Sequence, residues 1–322
     1  MTEEVRNIGR FEGGTIDQRI LETGTRVIRL ENTTVMPTKG VSEDEQFAHK
    51  DVQAQRVIEV VDLPEYKLTL REAVRTLGFI AKNSLHTAPH YSGGFAKKMH
   101  EAQLSDVHRG DKVILFFHGY MQNAGSAVQL HKDAKAKGIK VVAVDYNYKI
   151  DPKDFAEEVL LPAQRKVLAR GADEIITLGH STGADNPRYS LIHNPNVVDL
   201  AVDNRMTYIL SAPLTSGLRG KLNLAQQAIS LVMPQRDKMW TSEGTEQFLA
   251  LNHPLPKEVE AYTFLCAGDF LVTPECGLDT NNNAVNVIVP YGGHFEGTGV
   301  SQRINEHYID LIINGILRPK SF

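Results

Sequence analysis

From Lys112 onward the chain alternates short apolar runs with amphipathic stretches, and that alternation leaves it few folds to adopt. The runs at 113–117, 141–145, 174–178, 208–212, 261–267 and 285–289 read as buried strands. Between them, 124–137 predicts a helix that turns Val128, Leu130 and Ala134 to a core and stops at Gly138. Pro152 opens another, with Phe155, Val159, Leu160, Ala163 and Val167 at helical spacing. A third follows Ser181 to about Ile192, and a last one carries Ile304, Tyr308, Leu311 and Ile312 on one face and ends near Gly315. Strands separated by helices pair in parallel through right-handed crossovers, so the expected product is a mostly parallel sheet with helices on both faces.

Two segments stand outside this pattern. Residues 213–256 separate two strands and carry Leu218, Leu222, Leu224, Ile229, Val232 and Trp240, which predicts a small helical cap over the carboxyl edge of the sheet; an ordinary long connection is the alternative. Residues 1–110 form an N-terminal extension, partly helical and of undefined role, ahead of a catalytic unit at 111–322. Within the extension, 26–30 and 56–61 predict strands. Thr69-x-x-Glu72 predicts a capping box that starts a helix through Leu70, Val74, Leu77 and Ala81, and 32–54 reads as loop. No internal repeat is present.

At 322 residues, 42% hydrophobic and 23% charged, the chain has the composition of a soluble globular protein with room for one large α/β domain. A net charge of −4 argues against nucleic acid or an anionic membrane as the main partner. No apolar run reaches the length of a membrane span, and the acidic, polar N-terminus is not a secretory signal, so a cytoplasmic protein is expected. Cys266 and Cys276 are too few for a disulfide framework; two free thiols are the simplest reading, and a single bridge between them stays open.

One pentapeptide points to chemistry. Gly179-His180-Ser181-Thr182-Gly183 lies between the strand 174–178 and a helix, where small flanking residues permit a tight turn that lifts a serine above the sheet edge. A serine hydroxyl needs a base to take its proton, and the base needs a carboxylate to orient it. Downstream histidines are His193, His253, His294 and His307. His294 stands out because it follows the strand 285–289 and a Pro-Tyr-Gly-Gly loop. For the acid, Asp269 comes directly after the strand 261–267, with Glu275 and Asp279 further along the same loop as reserves. An isolated Asp at that place would more simply be a turn or helix cap. Two backbone donors must meet the oxyanion of an acyl-transfer intermediate. The amide of Thr182 is one; the other comes from the loop His118-Gly119-Tyr120-Met121, through Tyr120 with Met121 in reserve. His86 and His90 are spaced as metal ligands, yet Pro89 lies between them and nothing completes a site, so no metal is expected.

The stretches VILFFHGYMQNAGSAVQLHKDAKAKGIKVVAVDY and EIITLGHSTGADNPRYSL, with the ending GGHFEGTGVSQRINEHYIDLIINGI, resemble the α/β-hydrolase superfamily. The resemblance is to small lipases and esterases whose elbow helix carries an Ala-Arg-Tyr-like stretch; Arg188-Tyr189 stands there in this chain. It covers roughly residues 111–322. It implies an α/β-hydrolase fold and a cofactor-free serine hydrolase in which Ser181, Asp269 and His294 match the triad and Tyr120 and Thr182 the oxyanion amides. One departure is Pro187, which should distort or delay the helix after the elbow.

The leading expectation is therefore a carboxylic-ester hydrolase that works through an acyl-enzyme on a small-molecule ester with an apolar acyl part, as the apolar cap favours. A thioesterase, lactonase, amidase or acyltransferase would use the same triad. A hydrolase-fold protein that binds without turnover is the alternative of another class, with residues 1–110 as an interaction arm or a means of forming a homo-oligomer.

Overall fold

A computed structural model describes residues 4–11, 14–20, 26–31, 93–120, 122–215, 253–269, 271–279, 285–289 and 292–314. The expected cap, apart from its ends, and the features predicted at 32–54, 56–61 and 69–81 lie outside these residues, as do His86, His90, Met121 and Gly315. Six strands form a parallel sheet: β4 (Lys112–Phe117), β5 (Lys140–Val144), β6 (Glu174–His180), β7 (Thr207–Ser211), β8 (Glu260–Cys266) and β9 (Val285–Val289). All six predicted strands are present. Three antiparallel strands, β1 (Glu4–Phe11), β2 (Gly14–Ile20) and β3 (Arg26–Glu31), extend the sheet beyond β9, giving the order β1-β2-β3-β9-β8-β7-β6-β4-β5. The strand foreseen at 26–30 is β3.

Alternation along the central strands sends side chains to two separate cores. Ile114 and Phe116 of β4 face α1 (Gly93–Ser105), α2 (Val128–Lys135) and α7 (Gln302–Asn314). Val113, Leu115 and Phe117 face α3 (152–169), α4 (Thr182–His193) and α5 (Pro195–Asp203). A mostly parallel sheet sandwiched in this way is the α/β-hydrolase fold. Among the described residues no helix is long and apolar enough to cross a membrane.

Three local departures have identifiable causes. Residues 124–127 form a 3₁₀ turn rather than the first turn of α2, because Asn123 Oδ1 accepts the Gly125 amide at 2.9 Å and tightens the entry; Leu130 and Ala134 are buried while Val128 is only half so. Helix α3 widens to a π turn over Ala156–Leu160, just before Pro162, whose ring would strike the carbonyl one regular turn back. Helix α4 is not delayed by Pro187: it starts at Thr182 and runs through the proline to His193. Pro187 donates nothing to the Gly183 carbonyl four residues earlier, and that carbonyl is the atom that closes against Gly179.

At the outer strand β5, Ala143 turns its backbone groups away from the sheet. Helix α1 answers both: Gln103 Oε1 accepts the Ala143 amide at 2.8 Å, and His100 Nδ1 donates to its carbonyl at 2.8 Å.

Candidate active site

Because β4 through β9 run in parallel, the loops that follow them all emerge at one edge. Ser181 follows β6, Asp269 follows β8, His294 follows β9, and Gly119-Tyr120 follows β4. Ser181 has φ 54° and ψ −124°, a conformation that side-chain-bearing residues almost never adopt. Its neighbours explain how the turn closes. A Cβ on Gly179 would lie 1.9 Å from the Gly183 oxygen, and one on Gly183 would lie 2.3 Å from the Phe117 oxygen and 2.4 Å from that of His118. Only glycine fits either position, so α4 can press onto the ends of β4 and β6. The Ser181 amide donates to Ser211 O at 2.8 Å, and its carbonyl accepts from Ala184 and Asp185. Asp185 Oδ1 in turn accepts the Leu214 amide at 2.8 Å, which ties α4 to the end of β7.

Asp269 is buried and divides its two oxygens between two tasks. Oδ1 accepts the amides of Leu271 (2.9 Å) and Val272 (2.8 Å), which folds the loop back; Oδ2 meets His294 Nδ1 at 2.8 Å. The turn-cap role and the orienting contact coexist in one side chain. With the carboxylate as acceptor, the proton belongs on Nδ1, and Nε2 is left with the lone pair of a general base. Asp279 does not compete for this contact. Its carboxylate forms a fully buried ion pair with Arg188 of α4, whose other terminal nitrogen donates to His253 O at 3.2 Å. Glu275 lies on the short helix α6 (Pro274–Gly277). His193 and His307 sit on α4 and α7, and His253 lies at the end of the 213–256 insertion.

The turn that carries His294 is pinned from three sides. Glu296 Oε2 accepts the Gly293 amide at 2.7 Å. Tyr308 of α7 donates its hydroxyl to Gly297 O at 3.1 Å, so at 2.7 Å it accepts from Ser211 of β7. The fully buried ring of His180 lies 4.7 Å from that of His294, tilted by 55°, with Gly297 against its edge. Burial, and then the proximity of His294, hold His180 well below the ordinary histidine range, so it is a neutral ring. His180, Ser211 and Tyr308 are the contributors that sequence reasoning missed. Tyr308 is legible there only as a core position of the last helix.

The β4 loop presses against Ser181. A Cβ on Gly119 would lie 3.2 Å from Ser181 Cβ, and the Gly119 amide is already taken by Gln122 Oε1 at 2.9 Å. The next amide belongs to Tyr120. Thr182 is the first residue of α4, where a helix leaves amides without intrahelical acceptors. His118 anchors this loop: its ring stacks on Tyr146 with centroids 4.2 Å apart, Nδ1 bonds Gly119 O at 3.0 Å, and Tyr146 donates its hydroxyl to His118 O at 2.5 Å. Burial pulls the His118 imidazole down to about 4, so it too is neutral near pH 7.

Cys266 is a free, buried thiol, pushed well above its usual range by burial and by the charges of Asp269 and Glu296, which makes it a poor nucleophile. Among the described residues no group of three His, Cys, Asp or Glu side chains could hold a metal ion.

No protein-family model and no curated protein sequence matches this chain. Solved structures do. A pyrethroid hydrolase from Sphingobium faniae JZ-2 is 15% identical with a TM-score of 0.42, over 62% of this chain and 96% of that one. A meta-cleavage product hydrolase from Pseudomonas fluorescens IP01 is 14% identical with a TM-score of 0.39, over 65% and 93%. Polyneuridine aldehyde esterase is 14% identical with a TM-score of 0.42, over 63% and 99%.

Proposed function

We propose that the chain is a serine hydrolase that cleaves a carboxylic ester through an acyl-enzyme. The observation that carries this reading is the positive-φ backbone of Ser181, at the same sheet edge as a histidine already bonded to a buried aspartate. Ser181 Oγ attacks the carbonyl carbon as its proton passes to His294 Nε2. The oxyanion accepts from the Tyr120 and Thr182 amides. Collapse of the intermediate breaks the ester C–O bond, and the leaving alcohol takes the proton from His294. A water molecule, deprotonated by the same imidazole, then frees the acid and restores Ser181. Asp269 stays ionised and stabilises the imidazolium. No cofactor is needed for this cycle.

A fluorophosphonate probe followed by peptide mass spectrometry, on wild type and His294→Ala, tests the reading. One adduct on Ser181 that disappears in the variant is the expected result. A folded wild type that takes no adduct would overturn it in favour of a hydrolase fold that only binds.

A further inference from the structure

The loop that follows β5 reads Asp145-Tyr146-Asn147-Tyr148-Lys149, and its exposure alternates: the two tyrosines are half-buried and the residues between and around them exposed. Both rings lie against the neighbouring β4 loop. Tyr146 is fixed there by stacking on His118 and by its hydrogen bond to His118 O. Its ring also packs edge-on against Phe155 at 5.3 Å, so the base of the loop is rigid. Tyr148, one step further out, meets the ring of Tyr120 edge-on, with centroids 4.8 Å apart and planes at 71°. Tyr120 directly follows Gly119, where an added Cβ would lie 3.2 Å from Ser181 Cβ. The two rings thus form an aromatic pair that joins the β4 loop, one residue from that close approach, to the β5 loop.

We infer that Tyr120 and Tyr148 form the specificity wall of the site and select esters that carry a neutral aromatic group. The inference rests on the esterase reading above and names its substrate class. From β6 to β5 the sheet crosses two strand spacings, about 10 Å, so the wall serves a group that extends well past the ester bond, and a two-carbon acyl group would not reach Tyr148. Ring edges and faces favour an aromatic partner over an aliphatic one of equal area. The Lys149 ammonium lies 5.8 Å from the Tyr148 centroid, which occupies the negative face of that ring. Both tyrosines are half-buried and so stand outside the core.

The test compares kcat/KM for ethyl acetate, methyl 3-phenylpropanoate and benzyl acetate in wild type, Tyr148→Ala and Tyr148→Phe, so that the ring is offered on the acyl side and on the alcohol side. In wild type one aryl ester should exceed ethyl acetate. In Tyr148→Ala the ratio of that aryl ester to ethyl acetate should fall about tenfold, the scale of one lost ring contact with its apolar area. Tyr148→Phe should keep the ratio. An unaltered ratio in a folded, active Tyr148→Ala would overturn the inference alone. A wild type that hydrolyses none of the three and takes no adduct at Ser181 would overturn the esterase reading and the inference with it.

Discussion

At the scale of single residues, two side chains carry loads of different kinds. Ser181 holds a backbone conformation that costs on the order of 1–3 kcal/mol, and glycine would adopt it freely. After the extra unfolded-state entropy of glycine is subtracted, Ser181→Gly should raise stability by about 1 kcal/mol while abolishing turnover; a urea midpoint that falls or stays put would contradict the strain. Asp269 separates in another way. Asp269→Asn keeps an Oδ1 for the Leu271 and Val272 amides but offers His294 the wrong partner, so kcat should drop roughly 10³–10⁴-fold with little loss of stability. Asp269→Ala loses the loop cap as well and should cost about 1–2 kcal/mol more, read from paired denaturation and activity curves. Sequence alone puts Asp269 first, directly after its strand, with Glu275 and Asp279 in reserve on the same loop. What it does not show is that Asp279 faces Arg188, because that depends on how the loop folds back.

At the scale of elements, the site is held by contacts between segments distant in the chain. The Arg188–Asp279 pair joins α4 to the loop after β8, and Asn286 of β9 completes it by exchanging two hydrogen bonds with the Asp279 backbone, at 2.8 and 2.9 Å. Arg188→Met leaves a buried carboxylate alone and should cost about 3–5 kcal/mol. Adding Asp279→Leu should recover most of that loss, and a double variant no more stable than the single one would show that the charges are needed together for folding. Strands 113–117 and 174–178 were legible because dense β-branched and aromatic runs fit only a doubly covered sheet. The 3₁₀ entry to α2 was not, since a side-chain cap at Asn123 competes with helical spacing and leaves no periodic signal. The aromatic wall was equally hidden: Tyr120 and Tyr148 stand 28 positions apart, and only the parallel pairing of β4 with β5 brings them side by side.

At the scale of the whole molecule, its buried neutral histidines set how it responds to acid. His118 is pulled down to about 4 by burial, and His180 and His131 are lowered in the same direction for the same first cause. The unfolded chain protonates these residues near pH 6.5 and the folded chain at lower pH, so in between the unfolded state binds more protons. Stability is therefore whole above about pH 6.5 and declines as pH falls toward 4. His118 alone accounts for roughly 3 kcal/mol across the interval at about 1.4 kcal/mol per pH unit. A urea midpoint at pH 5.5 clearly below that at pH 7.5 is expected, at a pH where most carboxylates have yet to titrate; equal midpoints would mean that the rings are not held neutral.

Helix α1 belongs to this scale as well. Its His100 and Gln103 occupy the backbone groups of Ala143 that a parallel sheet would otherwise display at its margin. A chain trimmed to begin near residue 110 would keep every proposed catalytic group, yet it would bare that margin and, with β1–β3 removed, the β9 margin as well. Such a surface recruits further strands. Its failure would then be edge-to-edge self-association into extended, insoluble sheets, so solubility marks where the chain can be shortened.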